Sequence, residues 1–135
     1  MSAQKNAGPT VLLVVDDEAP VLALECRILE LAGYRVLQSS DGFDAIARLA
    51  DGTPLDLLIA DLNMPGIDGM EMVNRIRATR PDLKVLFVTG HVDRLIEAPR
   101  QWDLEAFVEK PFTPGSLREA VSLLLYGTLK KPPQS

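Results

Sequence analysis

The sequence predicts an α/β fold: a single doubly wound, five-stranded parallel sheet between two helical layers. Five short apolar runs alternate with helix-like segments along the 135 residues. The first, third and fourth runs are nearly continuous in Val, Leu, Ile and Phe, as strands covered on both faces are. The segments between them are joined by short connections, which implies right-handed crossovers and three layers.

The first strand is expected at Val11–Val15, and Pro20 then sits where a first helical turn tolerates it. Val21, Leu24, Ile28 and Leu31 mark an apolar face on that helix, and Gly33 stops it. The second strand spans about 34–37. Asp41 is placed to cap a helix bearing Ala45, Ile46 and Leu49, which Gly52 ends. The third strand is expected at 55–60. Asp68 and Glu71 have capping-box spacing ahead of Met72, Val73 and Ile76, with Pro81 beyond.

A fourth strand at 83–88 leads into Val92, Leu95 and Ile96, an amphipathic turn or two that Pro99 interrupts before Trp102. A short or distorted helix is expected there. After a fifth strand at 104–108, Thr113-Pro114 opens the last helix, whose apolar face carries Leu117, Val121, Leu124 and Leu125 up to Gly127. The domain thus covers 10–127, with residues 1–9 a loose leader and 128–135 a free end or linker stub. Five strands of this kind most often take the flavodoxin-like order 2-1-3-4-5, with the ligand site at the carboxyl ends of strands 1 and 3.

Composition narrows the function classes. The net charge of -5 gives no electrostatic support to a nucleic-acid surface. No stretch approaches the length needed to span a bilayer, and the leader lacks the pattern of a secretory signal. The single cysteine, Cys26, has no internal disulfide partner and lies in an apolar helical pattern, so a packed thiol in a reducing cytoplasm is expected.

The chemistry collects at the strand ends. Strand 1 runs into Asp16-Asp17, strand 3 into Asp61, strand 4 into Thr89 and strand 5 into Lys110-Pro111. A parallel sheet brings all of these to one edge. Three carboxylates so close repel one another unless a cation compensates, and Mg²⁺ is the simplest oxygen-seeking one. Lys110 supplies a positive charge and Thr89 a hydroxyl donor. A nucleophilic carboxylate, a metal, a lysine and a hydroxyl are the parts phosphoryl transfer uses. Each residue alone has a plainer reading. Taken singly, Asp16 or Asp17 reads as a helix cap, Asp61 as the opening of the Asn63-Met64-Pro65-Gly66 turn, Thr89 as a satisfied hydroxyl and Lys110 as a solvated charge. The coincidence at four strand ends favours the functional reading.

The stretches Val11-Leu12-Leu13-Val14-Val15-Asp16-Asp17-Glu18, Asp61-Leu62-Asn63-Met64-Pro65-Gly66-Ile67-Asp68-Gly69, Val88-Thr89-Gly90 and Lys110-Pro111-Phe112 resemble, in this order, the receiver domain of bacterial two-component response regulators. The resemblance runs from about Thr10 to Gly127. It implies that Asp61 accepts a phosphoryl group from a histidine kinase or histidine phosphotransfer domain and later loses it by Mg²⁺-dependent autodephosphorylation. No conventional enzyme is implied, only catalysis of the domain's own phosphoryl transfer. Asp17, Asp61 and the backbone carbonyl of Asn63 would ligate Mg²⁺ (Mn²⁺ being an alternative), with Asp16 acting mainly through water. Thr89 and Lys110 would bind phosphoryl oxygens, and the Lys110-Pro111 bond would be cis. Phe107 falls where such domains place a switch aromatic, though an ordinary core residue of strand 5 is an equal reading. Asn63 and His91 fall at positions that tune phosphoryl lifetime, and a solvated loop histidine is the alternative for His91.

The resemblance weakens over 91–106, which has Asp103-Leu104-Glu105-Ala106 in place of the usual Gly-Ala and carries Pro99. Output contacts there are not carried over. The domain would be cytoplasmic, a monomer or a phosphorylation-dependent dimer, and either a stand-alone regulator or part of a larger one. With no DNA-binding segment after Gly127, direct nucleic-acid binding is not expected. Two other readings compete. An aspartyl-nucleophile, Mg²⁺-dependent phosphatase would carry an Asp-x-Asp motif at strand 1, where this chain has adjacent aspartates, and a substrate-covering cap. A non-phosphorylated interaction module would have lost the acidic and switch residues that are all present here. Flavin binding would need a Ser/Thr/Gly-rich phosphate loop after strand 1, which is missing.

Overall fold

The computed structural model describes residues 9–90 and 104–127. Its elements run β1 (Val11–Val15), α1 (Ala19–Leu31), β2 (Arg35–Ser39), α2 (Gly42–Leu49), β3 (Leu57–Asp61), α3 (Gly69–Arg77), β4 (Val85–Thr89), β5 (Glu105–Glu109) and α4 (Pro114–Tyr126). All strand pairs are parallel, in the order β2-β1-β3-β4-β5. The expected distorted helix and His91 lie outside the described residues, as do residues 1–8 of the leader and the 128–135 tail.

Alternation along β1, β3 and β4 divides the core in two. Leu13, Val15, Leu58, Ala60, Val85 and Phe87 face α2 and α3. Leu12, Val14, Leu57, Ile59, Leu86 and Val88 face α1 and α4. Both faces of the central strands are therefore dry, which is why their sequences read as unbroken apolar runs. Among the described residues, no helix is long and apolar enough to cross a membrane.

The caps form largely as the sequence indicates. The Asp41 side chain accepts from the Asp44 N–H at 2.8 Å, and Asp68 accepts from the Glu71 N–H at 2.9 Å. Thr113 and Ser116 exchange side-chain-to-backbone bonds at 3.0 Å each, closing the first turn of α4. Gly127, at φ +76, ends that helix in the left-handed region where glycine carries no steric cost.

Two expectations need correction. Strands β2 to β5 sit one or two residues later than the apolar runs, because polar Asp61 and Thr89 still belong to the ladder. The buried face of α1 is also different. Leu24 and Leu31 are 50% and 74% exposed, whereas Leu22, Glu25, Cys26, Ile28 and Leu29 are buried. A glutamate on the inward stripe disguised it, and the tertiary packing chose that stripe all the same.

At the amino-terminal end of β5, an ion pair between Arg77 and Glu105 joins α3 to that strand, their side chains being 11% and 6% exposed. The Arg77 guanidinium also donates to the Leu83 carbonyl, at 2.8 Å from Nη2 and 3.2 Å from Nε. Removing one partner of such a pair strands a buried charge. Glu105→Ala is expected to lower stability in urea denaturation by about 3–5 kcal/mol. Breaking the exposed Arg75–Glu71 pair by Glu71→Ala is expected to cost only about 0.5 kcal/mol.

Candidate functional site

The β1–β3 ladder runs to Val15 opposite Ala60, so the next residues, Asp16 and Asp61, are level at the ends of adjacent strands. Asp61 is itself paired with Val88, and Thr89 follows one step beyond on β4. Thr89 is level with Glu109, and its carbonyl accepts from the Lys110 N–H at 2.8 Å. The sheet register alone thus gathers Asp16, Asp61, Thr89 and Lys110 at one edge. The Lys110–Pro111 peptide bond is cis.

Asp16 and Thr89 are fully buried, and Asp61 is nearly so. Asp17 is exposed at the rim. One carboxylate oxygen of Asp16, Oδ1, accepts from the Glu18 N–H at 2.9 Å, and Asp61 Oδ1 accepts from the Asn63 N–H at 3.2 Å. The other oxygens of both aspartates face Lys110, whose Nζ stands 3.4 Å from Asp16 and 3.3 Å from Asp61. Glu18 Oε1 lies 3.8 Å from the same nitrogen. These separations exceed the ~2.7–2.9 Å of a tight charge-assisted bond, so the lysine straddles two carboxylates and commits fully to neither.

The caps assigned from sequence alone do not account for these acids. The N-cap of α1 is Glu18, not Asp16 or Asp17. Asp61 does open its turn through Asn63, yet the same carboxylate also reaches Lys110. Phe107 is 43% exposed, so it is not a buried core residue of β5.

Charge in this corner is unbalanced. Asp16, Asp17 and Asp61 each present an oxygen, and these oxygens lie within 4.8 Å of one another. Burial raises the pKa of Asp61; Lys110 opposes that and Asp16 reinforces it. For Lys110, burial lowers the pKa, but Asp16 and Asp61 outweigh it and hold the ammonium more firmly protonated than usual. One ammonium against three carboxylates leaves negative charge uncompensated. The donors are all hard oxygens, as a divalent cation such as Mg²⁺ requires, so the cluster is compatible with a divalent metal site.

Two residues that the motif reading passed over shape the site. Gly69 donates its N–H to the Leu62 carbonyl at 2.9 Å, and a Cβ there would run into the Asp61 carbonyl oxygen and the Leu62 Cα. Only glycine lets α3 start this close to the end of β3. Glu25 lies inside α1, 1% exposed, and its Oε1 has no hydrogen-bond partner among the described residues. Burial, with Asp16 adding to it, pushes its carboxyl up to about 8. The signal for Gly69 was its place in the matching motif, whereas nothing local marked Glu25.

Residues 12–122 match the family model described as the response regulator receiver domain. Among curated proteins, the chain is 30% identical over 121 residues to the sensor kinase CckA of Brucella abortus, covering 88% of this chain but 13% of that protein. It is 29% identical to sporulation initiation phosphotransferase F of Bacillus subtilis, over 84% of this chain and 92% of that one. The response regulator TrrA of Thermotoga maritima, solved in complex with Mg²⁺-BeF, superposes with a TM-score of 0.76 at 32% identity, covering 86% and 99% of the two chains.

Proposed function

Because the chain belongs to the response regulator receiver domain family of two-component systems, we propose that its phosphoacceptor is Asp61. The observation that carries this reading is the placement of the Asp61 carboxylate between the Lys110 ammonium and two further aspartates at the switch point of the sheet. Receiver domains interact with histidine kinases or phosphotransfer proteins, and the donor here is a phosphohistidine on such a partner. An Asp61 oxygen attacks phosphorus, the P–N bond breaks, and the electron pair stays on the departing imidazole nitrogen. Hydrolysis reverses the modification when water attacks the same phosphorus and the P–O bond to Asp61 breaks.

Asp16, Asp17, Asp61 and the Asn63 carbonyl would hold Mg²⁺, or Mn²⁺ in its place, with Asp16 acting mainly through water. Bound there, the metal would supply charge neutralisation for the phosphoryl oxygens. Lys110 pairs with the transferred group, exchanging its loose hold on two carboxylates for a more negative partner. Thr89, on the neighbouring strand, donates its hydroxyl to a phosphoryl oxygen. Thr89 moves toward the phosphoryl group to make that bond, Phe107 responds from its half-exposed position on β5, and Asn63 and His91 tune the lifetime of the modified state. The domain works in the cytoplasm, where the buried Cys26 thiol stays reduced.

Incubation with acetyl phosphate and Mg²⁺ is expected to add one phosphoryl mass, removable by hydroxylamine as an acyl phosphate is, and to add none in excess EDTA. An unchanged mass under both conditions would defeat the proposal, as would a label that resists hydroxylamine.

A further inference from the structure

The first turn of α2 presses against the β3–α3 loop, residues 62–68. Gly42 is buried there, and a Cβ on it would run into Ile67 Cγ2, with the Ile67 carbonyl oxygen and Met72 Cβ close behind. Alanine forms helix better than glycine, so propensity alone favours a side chain at this position. The loop takes the space instead. One residue on, the Phe43 ring lays its edge on Gly66, with Cε2 3.4 Å from where a Cβ would stand, although Phe43 is 55% exposed.

The same loop carries Asn63 and is closed at its base. Gly69 donates to the Leu62 carbonyl at 2.9 Å, and the Asn63 N–H donates to Asp61 Oδ1 at 3.2 Å. Leu62, Met64 and Ile67 are buried in the core layer that α2 and α3 share. A loop tied at its base and wedged at its tip in a close-packed interior has little room to shift. We propose that Gly42 and Phe43 brace the β3–α3 loop and thereby position the Asn63 carbonyl at the metal site. The inference rests on the reading of that site as one for Mg²⁺. Groups that hold the ligands in place govern affinity without touching the ion.

The test applies calorimetric titration of Mg²⁺, and amide NMR spectra in EDTA, to the full chain and to five variants of it. Gly42→Ala should bind Mg²⁺ about 10-fold more weakly, and its Asn63 amide signal should move even without metal. Ile67→Leu removes the Cγ2 methyl that the new Cβ strikes, at nearly constant volume. The double variant Gly42→Ala/Ile67→Leu should therefore return to within about twofold of the parent affinity. Phe43→Ala adds no bulk and should weaken binding by more than about twofold. Val121→Ala trims the opposite core layer, so it should lower stability and leave both readouts at their parental values. Parental affinity in either Gly42→Ala or Phe43→Ala would overturn the inference, as would an unmoved Asn63 signal or equal weakening in Val121→Ala. If Asp17→Asn binds Mg²⁺ as well as the parent does, the metal-site reading falls and the inference falls with it.

Discussion

Asp61→Asn is expected to abolish phosphoryl acceptance while making the metal-free fold more stable. The amide is nearly isosteric but offers no anionic oxygen, so labelling by acetyl phosphate with Mg²⁺ should fall by more than about 100-fold. The stability change follows from the same geometry. Burial and the Asp16 carboxylate outweigh Lys110 and raise the folded-state pKa of Asp61, so its ionised form opposes folding at neutral pH. Removing that charge relieves repulsion in a cluster with one ammonium and three carboxylates. A gain in stability in EDTA is expected from urea denaturation. Added Mg²⁺ should stabilise the parent by mass action and the variant much less, since one ligand is gone. Undiminished labelling of the variant would remove Asp61 from the mechanism, and a less stable variant in EDTA would contradict the electrostatic account.

Much of this architecture is written in local sequence. The central strands are recognisable because both their faces are dry, and the caps at Asp41, Asp68 and Thr113 because a side chain there meets a backbone N–H within three residues. The site is readable for a related reason. In a parallel sheet the residues at the carboxyl ends of the strands share one edge, so Asp16, Asp61, Thr89 and Lys110 converge without any knowledge of side-chain packing.

What the sequence conceals depends on partners distant along the chain. Arg77 and Glu105 are 28 residues apart, and neither position announces an ion pair. Of the apolar face expected on α1, Val21, Leu24, Ile28 and Leu31, only Ile28 is buried, while Leu24 and Leu31 point outward. Choosing the inward stripe requires knowing which face of the helix the sheet and α4 cover. Local periodicity holds no such information, and a charged residue counts against the correct stripe.

The buried Glu25 should dominate the pH dependence of stability in the absence of metal. The Glu25 carboxyl titrates near 4.5 when the chain is unfolded and at about 8 when folded, burial being the main cause, with Asp16 and Asp61 adding to it and Lys110 opposing it. Between these values the folded state binds the extra proton, so stability falls as pH rises and the loss is complete above about 8. At about 1.4 kcal/mol per pH unit, the full span amounts to several kcal/mol, on the order of half the stability of a typical small domain. Asp61, whose pKa is also raised, adds to the decline with the same sign. Urea denaturation in EDTA at a series of pH values from 5 to about 9 should show the parent weakening steadily. Glu25→Gln cannot ionise and should flatten most of that slope, converging on the parent at the acidic end. Parallel curves for the two proteins would mean that Glu25 titrates near its ordinary range, and that the interior of α1 is wetter than its burial implies.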